Sequence, residues 1–93
     1  MNTDPLQKPR DEIDAIDAEI IALLGKRWQL VEEVTRIKQE HDLPPLQPER
    51  FAELMQNLLD LSKEHDLPPS MVEELWHTIH VYSRRSQGEH DAH

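Results

Sequence analysis

No cysteine occurs in the 93 residues, which excludes a disulfide framework, a thiolate nucleophile and thiolate metal ligands. Glycine appears only twice and aromatic residues form 4% of the chain. Sheets favour β-branched and aromatic residues, so this profile suits helices better. Basic residues are outnumbered ten to nineteen by acidic ones, for a net charge of −9. That balance argues against nucleic acid as a partner, because phosphate recognition needs basic patches. No run approaches the roughly 20 apolar residues of a membrane span, and the polar start Met1-Asn2-Thr3-Asp4 does not resemble a signal peptide. The expectation is a soluble, cytoplasmic, all-α protein of one domain, residues 1–93, with 1–8 and 89–93 as disordered tails. A chain of this length buries only about 60–65% of its extended surface, so it is marginal alone unless its helices pack well.

What is present is helical periodicity. From Pro9, a favourable first-turn residue, apolar positions run Ile13, Ile16, Ile20, Leu23, Leu24, Leu30, Val31, Val34 and Ile37. Steps of three and four mark an amphipathic helix. It ends near His41-Asp42-Leu43, because Pro44 disfavours helical geometry in the residue before it. About thirty residues make a rod of roughly 45 Å. A globule of this size has a radius of gyration near 12 Å, so the rod overhangs its own domain and invites a second copy.

A second helix opens at Pro48, carries Phe51, Leu54, Met55, Leu58 and Leu61, and stops at His65-Asp66-Leu67 before Pro68-Pro69. The third begins around Pro69-Ser70, carries Met71, Val72, Leu75, Trp76, Ile79 and Tyr82, and fades at Gly88. The string Glu40-His-Asp-Leu-Pro-Pro45 recurs as Glu64-His-Asp-Leu-Pro-Pro69. Paired functional loops are one reading of this repeat. One helix-stop device used twice is the simpler one, since the helices themselves show no matching repeat.

Cations interrupt the inward stripe of the first helix, which runs Ile13, Ile20, Leu24, Arg27, Val31, Val34, Lys38. Arg27 and Lys38 are eleven residues apart, about three turns plus 20°, so they share a face roughly 16 Å apart. Burying an unpaired charge costs several kcal/mol. Such cations either snorkel to the surface, pair with acidic residues of the chain, or hold an anionic ligand. Arg10 lies seventeen residues before Arg27, about 25 Å along a straight helix, too far for the same small ligand. In an antiparallel dimer of overhanging rods the partner's Arg10 approaches the middle of the long helix instead. Arg50 adds a guanidinium near a helix N-terminus, where backbone N–H groups also favour anions. Ser83 and Gln87, at i and i+4, continue the line of Trp76 and Ile79, or else belong to a fraying polar helix end.

Arg10, Arg27, Lys38, Arg50, Ser83 and Gln87, in this order on a long-short-short helical plan, resemble the all-helical chorismate mutase family. The likeness runs from about Pro9 to Gln87. It includes Arg10-Asp-Glu-Ile-Asp-Ala-Ile-Asp17, Ala22-Leu-Leu-Gly-Lys-Arg27, Arg36-Ile-Lys38 and Pro48-Glu-Arg50. Each string is weak alone; the six polar positions at these separations, on a three-helix pattern readable independently, are together specific. The resemblance implies an intertwined homodimer with two active sites, each completed by Arg10 of the other chain. It implies that Arg10 and Arg27 clamp the two carboxylates of a small dianionic substrate, bidentately where geometry allows. Lys38 and Gln87 then donate to the ether oxygen, while Arg50 and Ser83 support the carboxylates and the pocket lining. It implies no cofactor and no metal, and leaves room for a larger regulatory enzyme as partner. The rearrangement of chorismate to prephenate is pericyclic. It gains from confinement of the enolpyruvyl arm and from fixed donors at the oxygen that gathers negative charge.

Two positions depart from the mutase pattern: Phe51 stands where typical mutases have a glutamate, and Gln47 where they commonly have an aspartate. That region recognises the ring hydroxyl in the family. Isochorismate pyruvate lyases, a sister group on the same scaffold, have an apolar residue after a similar Pro-Glu-Arg string and release salicylate and pyruvate. Ser83 with Gln87 fits the mutases better, and Phe51 also suits simple core packing. His77 and His80, at i and i+3, hint at a metal, but no carboxylate stands at a convincing third-ligand position. A silent helical dimerisation module accounts for the long helix equally well, though not for cations on its inward stripe.

Overall fold

The computed structural model describes residues 4–44 and 47–86. Among these the chain forms three helices and no strand: α1 (Gln7–Glu40), α2 (Pro48–Glu64) and α3 (Pro69–Ser86). The all-α expectation holds, with its long-short-short plan.

α1 begins two residues earlier than Pro9. Asp4 accounts for the difference. Its carboxylate accepts a hydrogen bond from the N–H of Leu6 (2.9 Å), and its carbonyl accepts one from Gln7 (3.3 Å). A side-chain acceptor before the first turn satisfies N–H groups that have no partner within the helix. Pro9 then falls inside the first turn, where a missing N–H costs nothing. Residues 7 and 8, expected in a tail, are therefore helical. The tail expected at 89–93 lies outside the described residues.

The repeated string ends α1 and α2 by the same mechanism. Asp42 and Asp66 both take left-handed backbone conformations, with φ of 53° and 56°. The N–H of Leu43 reaches back to the carbonyl of Lys38, and that of Leu67 to the carbonyl of Ser62, each at 2.8 Å. The N–H of each aspartate donates three residues back, to Gln39 (3.4 Å) and Lys63 (3.3 Å). This paired closure of the last carbonyls is the Schellman arrangement, here with aspartate where glycine is usual. The repeat is a helix stop in both places.

The chain divides into two units, one ending at Val31 and the other beginning at Glu32. In the first, the helix leaves its apolar residues open: Ile13, Ile20, Leu23 and Leu30 are 55%, 48%, 62% and 60% exposed. No residue of α1 is buried. In the second unit α2 packs against α3. Among the described residues the buried set is Ser62, Val72 and Ser83, while Phe51, Leu54, Met55, Leu58, Trp76 and Ile79 are half-buried. Two of the three buried residues are serines whose hydroxyls donate to their own helix, Ser62 to Leu59 (2.7 Å) and Ser83 to Ile79 (3.0 Å). Bonding back to the helix satisfies a polar group that is expensive to bury bare. Leu61, Met71, Leu75 and Tyr82, expected in the apolar stripes, remain exposed.

Candidate active site

In the first unit the half-buried residues of α1 are Arg27 and Val31; every other residue of that stretch is exposed. An arginine is thus better covered than the isoleucines and leucines around it. Arg10 is exposed and its guanidinium lies 3.9 Å from the Asp4 carboxylate, a surface pair of little energetic weight.

In the second unit the half-buried residues of α1 are Thr35 and Lys38. Partial burial lowers the Lys38 ammonium below its ordinary value of 10.5, because desolvation disfavours the charged form. Four residues at steps of four, four and three, Arg27, Val31, Thr35 and Lys38, are therefore the covered positions of the helix. Two are cations of the expected inward stripe; its Ile13, Ile20, Leu24 and Val34 are exposed instead, and Thr35, outside that stripe, is covered.

α2 opens at Pro48, with Gln47 before it making no side-chain cap. Phe51 closes the first turn, its N–H donating to the Gln47 carbonyl (3.2 Å). Its ring turns towards α3, where it meets two imidazoles. The ring centroid lies 4.1 Å from that of His80, with planes inclined by 36°, and 5.5 Å from that of His77. Beside this stack is a cleft of about 330 Å³ lined by Gln47, Pro48, Phe51, His77, His80 and Arg84. Its size is at the lower end of ordinary ligand pockets.

Of the residues expected in a site, Gln47 and Phe51 are brought together in this cleft. Arg50, one residue earlier on α2, is exposed and pairs with Glu53 at 3.3 Å. Ser83 is buried, and its hydroxyl donates to the Ile79 carbonyl. Gln87 lies outside the described residues. His80 and Arg84 line the cleft without having been picked out as binding residues. Their signal is present in the sequence, since they stand four apart on α3 between Trp76 and Gln87. Among the described residues no cluster of three metal-binding side chains occurs, and no helix is long and apolar enough to cross a membrane.

Residues 9–88 match the sequence profile of the family described as Chorismate mutase type II. The chain belongs to that family. Similar proteins include the T-protein of Haemophilus influenzae, 43% identical over 51 residues, covering 55% of this chain and 14% of the relative. The T-protein of Enterobacter agglomerans is 44% identical over 46 residues, or 50% and 12% of the two chains. A bifunctional chorismate mutase/prephenate dehydratase of Aquifex aeolicus is 41% identical over 54 residues, 58% and 15%. The chain thus matches about one seventh of the length of these curated relatives.

Proposed function

We propose that this chain is a chorismate mutase that rearranges chorismate to prephenate in a homodimer. The observation that carries the reading is the partial burial of Arg27 and Lys38 on a helix whose apolar residues are largely exposed. A packing module has no reason to cover its cations before its isoleucines. A site for a dianion does.

The chemistry asks little of the protein's reactivity. One C–O bond breaks as one C–C bond forms within a single molecule, so a nucleophile is unnecessary. Arg27, with Arg10 of the other chain, holds the two carboxylates and freezes the flexible arm over the ring, which supplies the orientational part of the acceleration. Lys38 and Gln87 donate to the ether oxygen, which gathers negative charge as its bond to the ring lengthens. Arg50 and Ser83 complete the lining. The partial desolvation that lowers the Lys38 ammonium also strengthens its attraction for that oxygen.

The open apolar face of α1, with Ile13, Ile20, Leu23 and Leu30, favours a second copy of the chain as its cover. The same reading places the enzyme in the cytoplasm and in aromatic amino acid biosynthesis. Phe51 favours a second reading, isochorismate pyruvate lyase, because it removes the carboxylate acceptor for the ring hydroxyl.

A mixing experiment tests the shared site. Arg10→Ala and Arg27→Ala subunits are each expected to be inactive alone. Mixed, they form some dimers with one intact site and recover part of the wild-type turnover. No recovery after verified subunit exchange contradicts a site built from two chains.

A further inference from the structure

The two copies of the repeated string end their helices alike, but they hold different residues. Asp42 and Asp66 share one left-handed conformation, with φ of 53° and 56°. Leu43 and Leu67 each donate at 2.8 Å to the carbonyl five residues back. In α2 that carbonyl belongs to Ser62, which is buried and bonds its own hydroxyl to Leu59. In α1 it belongs to Lys38, the half-buried cation two residues before the helix end at Glu40.

The last four carbonyls of a helix have no partner within it, and helix ends fray. Three of those of α1 accept bonds: Ile37 from the N–H of His41 (3.0 Å), Lys38 from Leu43 (2.8 Å) and Gln39 from Asp42 (3.4 Å). Lys38 thus stands in the final turn with its backbone closed on the C-terminal side. In stops of this shape an apolar residue at the place of Leu43 commonly rests on the residue at the place of Lys38. A lysine stem can be covered in that way while its ammonium stays clear of the cover.

We propose that the first copy of the string is a positioning element for Lys38, with Asp42 and Leu43 holding the lysine's backbone and stem so that its ammonium keeps one place. The second copy is a helix stop alone. This role rests on the reading above in which Lys38 donates to the ether oxygen of the substrate. Neither Asp42 nor Leu43 touches substrate, and both act through the lysine. Its four-carbon stem is flexible, and a donor serves a transition state best when its place is fixed beforehand. A helix end that frayed at Lys38 would leave that place undefined.

The experiment makes matched substitutions in the two copies of the full chain and measures kcat, KM and the denaturation midpoint of each. Activity is followed on whichever of chorismate and isochorismate is turned over. Valine is β-branched and an outlier at positive φ, so Asp42→Val opens the stop of α1 and Asp66→Val that of α2. Glycine takes the conformation freely, so Asp42→Gly removes the same charge and keeps the stop. Asp42→Val should lower kcat about tenfold to a hundredfold, the scale of a misplaced group. KM should change less than about threefold, because the donation strengthens only in the transition state. The alkaline fall in kcat/KM should also move to higher pH as the ammonium gains solvent. Asp42→Gly should keep the wild-type kcat and the wild-type alkaline limb. Asp66→Val should lower the midpoint about as much as Asp42→Val and leave kcat within about twofold of wild type. Where a valine variant does not fold, Asp42→Ala and Asp66→Ala make the same comparison at a smaller strain. A folded Asp42 variant with a lowered midpoint and wild-type kcat overturns the positioning role, as does an equal loss of kcat in the Asp66 variant. Either result leaves the enzyme assignment standing. Retained turnover in Lys38→Met, or a folded wild type that converts neither acid, overturns the reading beneath it and the positioning role together.

Discussion

The Phe51 ring lies 4.1 Å from the His80 imidazole, centroid to centroid, with the planes inclined by 36°. Phe51 is thereby part of the α2–α3 packing. Under the proposed function, substrate choice and stability are coupled at this residue.

Phe51→Glu separates the two contributions. The ring is half-buried and makes two aromatic contacts, so its loss should destabilise the fold by about 1–3 kcal/mol. Thermal or urea denaturation checks the sign and size. The new carboxylate restores an acceptor for the ring hydroxyl and should raise the preference for chorismate over isochorismate. An unchanged preference shows that Phe51 does not govern substrate choice.

Lys38 is expected to favour function over stability. Its ammonium is desolvated, so Lys38→Met should leave the fold at least as stable as wild type, while turnover falls by about a hundredfold or more through loss of a fixed donor. Circular dichroism and product assays on the same preparation give both numbers. Comparable activity in Lys38→Met removes this residue from the site.

The pH dependence follows from the same group. Its folded-state value lies below the unfolded value of 10.5, so between the two the unfolded chain binds more protons. In that window stability rises with pH. Below it the ammonium is charged in both states and its burial penalty is fully present. In the proposed site activity runs the opposite way, because donation to the ether oxygen needs the charged form. An alkaline fall in kcat/KM should therefore begin below 10.5, and Lys38→Arg should remove that limb if it retains activity.

Asp66 carries a different cost. A non-glycine residue at φ 56° is strained by roughly 1 kcal/mol, and glycine takes this conformation freely. Asp66→Gly should stabilise the protein by about 0.5–1 kcal/mol, net of the greater freedom glycine gives the unfolded chain, and Asp42→Gly should do the same. Denaturation midpoints decide the matter, and activity should be unaffected at Asp66.

The number, order and ends of the helices were legible because proline and periodicity mark them directly. Pro48 and Pro69 open α2 and α3, and Pro44 and Pro68 stand four residues beyond the ends of α1 and α2. The start of α1 was misplaced because Pro9 was read as the opening signal, when Asp4 had already supplied a cap. Burial was harder to read. Ser62 and Ser83 are among the most covered side chains, at 2% and 7%, while Leu61 and Leu75 stay open. Small hydroxyl residues can bond back to their own helix and let two helices approach, and hydropathy alone does not register that. Arg27 and Lys38 were found by the one signal a sequence gives for a covered charge, a cation in step with an apolar stripe. His80 and Arg84 escaped because their partner in lining the cleft, Phe51, lies on another helix almost thirty residues earlier.

The most direct measurement supplies purified protein with chorismate and with isochorismate side by side, and follows prephenate and salicylate separately. Prephenate from chorismate is expected as the main product. Salicylate as the main product contradicts the mutase assignment and moves the chain to the lyases, with Phe51 as the deciding residue. A folded dimer that forms neither contradicts catalysis by this site altogether.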